Sequence, residues 1–145
     1  MNKTAPQYIK LEIILWGLTN ADDYGNEEAA KYPLEDVLKM SGSEIDDLYD
    51  ELDGVSSIID GKSEIRASYE AETNLQSPYS RHYESKEVAA KMHDGTWVGW
   101  TYWYGGGKHS EPEAMDWIED AYFLECKEEE KLVVIRTFEK VVNCG

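Results

Sequence analysis

Cysteine is almost missing from this chain: Cys126 and Cys144 are the only two in 145 residues. Two unpatterned cysteines do not make the disulfide framework of a small secreted scaffold, and they fit a reduced, cytoplasmic protein. A bond between them is not implied. Histidine is nearly as scarce, at His82, His93 and His109, with no His-x3-His or Cys-x2-Cys pair; that spacing argues against a structural zinc site. Long apolar runs are lacking as well. None approaches the roughly 20 residues of a membrane span, and Tyr8–Trp16 is interrupted by Lys10 and Glu12, which argues against a secretory leader. Positive charge is in shortest supply relative to its opposite, with 14 Lys and Arg against 30 Asp and Glu and a pI near 4.4. Phosphate affinity rests on Lys and Arg, so direct binding to DNA, RNA or an anionic membrane surface is not expected.

What the chain has instead is negative charge, −16 in total. Thirteen acidic residues and two basic ones fall between Asp22 and Asp60, a net −11 in 39 positions. Solubility needs far less, and like charges on one side oppose the compact state. The concentration therefore points to a partner with a basic, nucleic-acid-binding groove, for which spaced carboxylates stand in for phosphates. The candidate contact residues are Asp22, Asp23, Glu27, Glu28, Glu35, Asp36, Glu44, Asp46, Asp47, Asp50, Glu51 and Asp53. The competing explanation is an ordinary solvated helical face. Calcium is disfavoured, because neither Asp46, Asp50 and Asp53 nor the run Asp22–Glu27 has the Asp-x-Asp-x-Asp-Gly spacing of an EF-hand loop.

A length of 145 residues fits one domain over 1–145, since domains run from about 50 to 250 residues. Folding at that size buries roughly 68–70% of the unfolded surface, so no metal, disulfide or cofactor is called for. The alternation Ile9, Leu11, Ile13, Leu15 predicts a first strand over Tyr8–Trp16. Pro33 opens a short helix ending near Gly42, and Ser43 is placed to cap a second, with Ile45, Leu48, Tyr49 and Leu52 at helical spacing. Asp60-Gly61 between Val55–Ile59 and Ser63–Ala71 predicts a hairpin. His82–Met92 fits either a helix, through Val88, Ala89, Ala90 and Met92, or a strand; Asp94-Gly95 and the central strand Trp97–Tyr104 beyond it favour a second hairpin. Ser110-Glu-Pro-Glu113 predicts a helix through Trp117, Ile118 and Tyr122. Lys127–Lys131 reads as a turn and Leu132–Phe138 as a last strand. The expected fold is α+β, with a mainly antiparallel sheet of five or six strands and two or three short helices.

Two further constellations carry chemistry. Trp97, Trp100, Tyr102, Trp103 and Tyr104 share one strand; most such rings are core, but a two-faced strand can leave some free to stack on a base or sugar. By alternation Trp97 and Trp103 share a face with Gly99 and Thr101, while Val98, Trp100, Tyr102 and Tyr104 share the other, which should meet Trp117 and Ile118. Gly105-Gly-Gly-Lys108-His109-Ser110 resembles an anion-binding turn before a helix, though the P-loop pattern fails at Tyr102 and His109. An alternative function follows: a ligand-binding module that sequesters a nucleotide or other small anion through Trp97, Trp103, Lys108 and His109. No nucleophile is paired with a base, so no enzyme is expected.

In size, acidity and Tyr and Trp content the chain is similar to phage-encoded anti-restriction and anti-CRISPR proteins that mimic nucleic acid. No shared motif carries the likeness, and such mimics differ in fold, so it implies a function and no architecture. The leading expectation is a cytoplasmic, non-enzymatic inhibitor of a basic nucleic-acid-binding protein. A third reading, an acidic assembly protein, predicts self-association.

Overall fold

The computed structural model describes residues 2–25 and 31–141. Helix α1 (Ala5–Thr19) forms where the alternation predicted a strand. Its start is a capping box: the Thr4 hydroxyl accepts from the Gln7 backbone N–H at 3.3 Å, and Gln7 Oε1 accepts from the Thr4 N–H at 2.9 Å. Pro6 lies in the first turn, where a missing N–H is harmless. Ile9, Leu11, Ile13 and Ile14 are all fully buried. A helix covered on several sides shows no single apolar stripe, and its aliphatics at 9, 11, 13 and 15 imitate a period of two.

The other helices pack around α1. The short α2 (Leu34–Leu38) follows Pro33, as expected, but ends at Leu38, short of Gly42, which instead opens the next helix. Helix α3 (Gly42–Glu51) is capped by Ser41, not Ser43, with Glu44 completing the box. Helix α4 (Ser56–Ala67) replaces the predicted Asp60-Gly61 hairpin. Gly61 lies inside it because α1 passes close by. A Cβ on Gly61 would stand 3.1 Å from both the Ile13 carbonyl oxygen and Trp16 Cε3. Close helix approach, and not a turn, accounts for that glycine.

Four strands, β1 (Ala71–Glu72), β2 (Glu84–Lys91), β3 (Trp97–Tyr104) and β4 (Tyr122–Leu124), form an antiparallel sheet in sequence order. The β2–β3 hairpin about Asp94-Gly95 is the expected one, running in register from Lys91↔Trp97 to Glu84↔Tyr104. Gly95 has φ +92°, a conformation side chains rarely adopt. The fold is thus α+β, with four strands and four α-helices among the described residues, not five or six strands and two or three helices.

One face of the sheet, with Val88, Ala90, Val98 and Trp100, closes the core against the helices. Trp100 meets Trp117 with ring centroids 5.5 Å apart, the pairing that alternation predicted. Yet Trp117 is not on a helix: after a single 3-10 turn at Pro112–Ala114 the chain is irregular up to β4. Ser110 turns back instead of capping, its hydroxyl donating to the Gly105 and Gly107 carbonyls at 2.7 Å each. The opposite sheet face is covered where Tyr122 and Leu124 lie over Gly99, leaving no room there for a Cβ. Leu132–Phe138 does not form the predicted last strand; it is unpaired and exposed. No helix of the described residues is long and apolar enough to cross a membrane.

Candidate functional site

Helix α3 carries the densest acidic face. Ile45, Leu48 and Leu52 turn inward and are buried, which places Asp47, Asp50, Glu51 and the following Asp53 in solvent. None of these four has a cationic partner among the described residues. Asp46 differs, because it anchors the helix. Its Oδ1 accepts from Lys10 Nζ at 3.0 Å and its Oδ2 from Gln7 Nε2 at 2.9 Å. Lys10 also reaches Glu119 Oε1 at 3.1 Å, and its side chain is only 13% exposed. Burial alone would lower the Lys10 pKa, but the bonds to Asp46 and Glu119 outweigh it and raise the pKa. Burial likewise opposes charge on Asp46, and the Gln7 and Lys10 bonds outweigh it to hold the carboxyl below its usual value.

The field at this face is visible in Tyr49, whose pKa rises through burial first and then through the nearby charges of Asp53, Glu119 and Asp50, with Lys10 opposing. Glu119 therefore belongs to the α3 cluster although it is distant in sequence. Lys10 is the residue that sequence reasoning missed. In a presumed strand it counted only as an interruption, whereas on a helix Gln7 and Lys10 stand three apart and together grip Asp46.

A second cluster lies elsewhere on the helical layer. Asp22 and Asp23 are exposed on a 3-10 turn, Ala21–Tyr24. The Tyr24 hydroxyl donates to Asp60 Oδ2 at 2.5 Å, and the Tyr24 pKa is raised by that bond first, with the charges of Asp60, Glu64 and Asp23 adding to it. Glu35 and Asp36 are exposed in the first turn of α2. Glu44 is engaged in capping α3. Glu27 and Glu28 lie outside the described residues. Two acidic groups thus surround tyrosines, Asp23, Asp60 and Glu64 at Tyr24 and Asp50, Asp53 and Glu119 at Tyr49, while Glu35 and Asp36 stand apart from both on α2.

The aromatic strand divides differently from a single stacking platform. Trp97 is half-buried beside Leu124, while Trp103 is only 9% exposed. They are six residues apart, about 20 Å along a strand, and line separate clefts. Lys108 and His109 are exposed and line neither. The cleft at Trp103, about 600 Å³, is lined by Tyr79, Glu87, Asp116, Asp120 and Tyr122. Glu87 is 6% exposed. It accepts from the hydroxyls of Tyr122 at 2.6 Å, Ser77 at 2.8 Å and Thr101 at 3.1 Å. Burial, then the Glu87 bond, raises the Tyr122 pKa. Cys126 is a free, exposed thiol, and Cys144 lies outside the described residues. Among the described residues no group of His, Cys, Asp and Glu has the arrangement of a metal site.

Comparison with protein families, with curated proteins and with solved structures finds no match for this chain.

Proposed function

We propose that this protein is an acidic inhibitor that occupies the basic, nucleic-acid-binding site of a partner protein, in the manner of phage anti-restriction and anti-CRISPR proteins. The observation that carries the reading is the solvent face of α3. Asp47, Asp50, Glu51 and the adjoining Asp53 stand on it without cationic partners among the described residues, on a helix closed by its own Ser41–Glu44 capping box and tied to α1 by the Lys10–Asp46 pair. Carboxylates held in place before binding lose little freedom on docking, and their field accelerates encounter with a basic groove by ~10–10³ at low salt. Asp46 and Glu119 extend the face; the Tyr24 cluster is a separate patch.

The test is competition. Immobilised protein should capture a nucleic-acid-binding protein from a host lysate, release it to duplex DNA or to a salt step, and lose it when Asp47, Asp50, Glu51 and Asp53 are replaced by Lys. Capture that duplex nucleic acid does not displace, or that survives the charge reversal, sinks the proposal.

A small-ligand reading has one observation in its favour, the cleft at Trp103. Its buried Glu87, with Asp116, Asp120 and aromatic walls, has the chemistry of an organic-cation site rather than a nucleotide site, since ammonium and guanidinium groups favour both carboxylates and ring faces. A thermal shift with arginine or a polyamine that Glu87→Gln abolishes would support it; no shift would remove it.

A further inference from the structure

The segment after β4 is unlike the rest of the molecule. Leu132, Val133, Val134, Ile135 and Phe138 are between 72% and 99% exposed and belong to no strand or helix. Consecutive apolar, β-branched residues in water are the composition of an unpaired strand. The charge of this arm is also inverted. Lys131, Arg136 and Lys140 against Glu139 give residues 131–141 a net +2, leaving −18 on the remainder of a chain whose total is −16.

A matching acceptor exists on the same molecule. β4 is the last strand of the sheet, bonded to β3 on one side only, and its Phe123 is 52% exposed. A groove of about 410 Å³ crosses the sheet face from β1 to β4, with Ala71, Ala89, Trp97 and Leu124 along it; its charged residues are Glu72, which pairs with Lys86, Glu125 and Lys127. An edge strand with one free side is a template for strand addition.

We infer that the arm Lys131–Val141 docks along the free edge of β4 on a second copy of this chain, and that two copies exchange arms reciprocally. Charge complementarity selects this occupant. The −18 remainder of a second copy attracts the arm, whereas a basic partner such as that proposed above repels it. Reciprocal exchange also closes, since each copy gives one arm and receives one, leaving neither arm nor β4 edge free for further growth. The pairing stands independently of the inhibitor proposal.

Light scattering on the full-length chain, eluted at concentrations from about 1 to 100 μM in low salt, should show a mass rising towards twice 16.6 kDa. A mass of 16.6 kDa throughout, or growth beyond the pair, overturns the inference. Val134→Asp with Ile135→Asp places one charge on each face of the docked strand and should return the protein to a monomer with unchanged circular dichroism; a chain ending at Glu130 is the second variant. A dimer that persists in both uses another surface and overturns it too. Hydrogen exchange supplies the location: amides of 122–124 and 132–138 should slow together as the dimer forms, and unchanged exchange at 122–124 rules out β4 as acceptor.

Discussion

The phenol of Tyr8 donates to Asp94 Oδ2 at 2.7 Å, joining residues 86 positions apart. The bond ties α1 to the turn of the β2–β3 hairpin. Asp94 Oδ1 also accepts from the Thr96 N–H at 3.0 Å, and Glu12 Oε1 accepts from the His93 N–H at 3.0 Å. The helical layer and the sheet are thereby clasped at one end by polar contacts as well as by the apolar core.

The clasp has a pH dependence. The Tyr8 hydroxyl holds the Asp94 carboxyl at about 2, against an ordinary 3.8, with the Thr96 amide assisting. As pH falls through the ordinary value the unfolded chain takes up this proton while the fold does not, so the contribution is full above about pH 4 and fades towards pH 2. The difference in urea midpoint between wild type and Asp94→Asn should shrink across that window. A constant difference would mean that Asp94 acts without its charge.

Truncating the three strand tryptophans should rank them by cover. Trp100→Ala removes a fully buried ring from contact with Trp117 and should cost about 3–5 kcal/mol. Trp103→Ala should approach that range, because its face is covered, and half-buried Trp97→Ala should be mildest. Equilibrium denaturation of the three variants reads the order, and Trp100 as the mildest would invert the face assignment.

Gly61→Ala should destabilise although alanine is the better helix former by about 1 kcal/mol. The new methyl meets the Ile13 carbonyl and the Trp16 ring at 3.1 Å, neither of which is the free end of a flexible chain. Separating the helices should outweigh the propensity gain and leave a net loss of about 1–3 kcal/mol. A gain in melting temperature would show that α1 and α4 are looser than this.

Neutralising the exposed acidic face of α3 should stabilise the free protein. Asp47 faces Asp50 and Glu51 at i+3 and i+4, and Asp50 faces Asp53 at i+3; each like-charge pair opposes the helix by about 0.2–0.5 kcal/mol. Asp47→Asn with Asp50→Asn should raise the melting temperature at low salt and lose that advantage in high salt. Absence of any gain would show that the carboxylates do not repel, and would weaken the case for a binding face maintained against stability.

What the sequence made legible was local. The α3 stripe Ile45, Leu48, Leu52, the Pro33 helix start and the Asp94-Gly95 hairpin each rest on neighbouring residues, and each stands in the structure. Two elements misread as strands owe their form to distant contacts. The aliphatics of α1 fill surroundings supplied by three helices and a sheet, which hides the helical period; Thr4-Ala-Pro-Gln7 was the legible clue. Gly61 imitates a turn because α1 demands a gap. For the candidate site the acidic face was readable, since solvent imposes the pattern, but Lys10 and Glu119 were not, because their meeting at Asp46 requires the fold.

That α1 precedes the elements that cover it also has a consequence for biosynthesis. Its buried sides need α3, α4 and the β2–β3 hairpin, and the hairpin ends at Tyr104, well after α4 closes at Ala67. At roughly 5–20 residues per second, ribosomes leave the helical layer without its sheet for about 2–7 s. During that interval the apolar side destined for Val98 and Trp100 is open to chaperones and to neighbouring nascent chains, which makes elongation speed between Ala67 and Tyr104 a determinant of soluble yield.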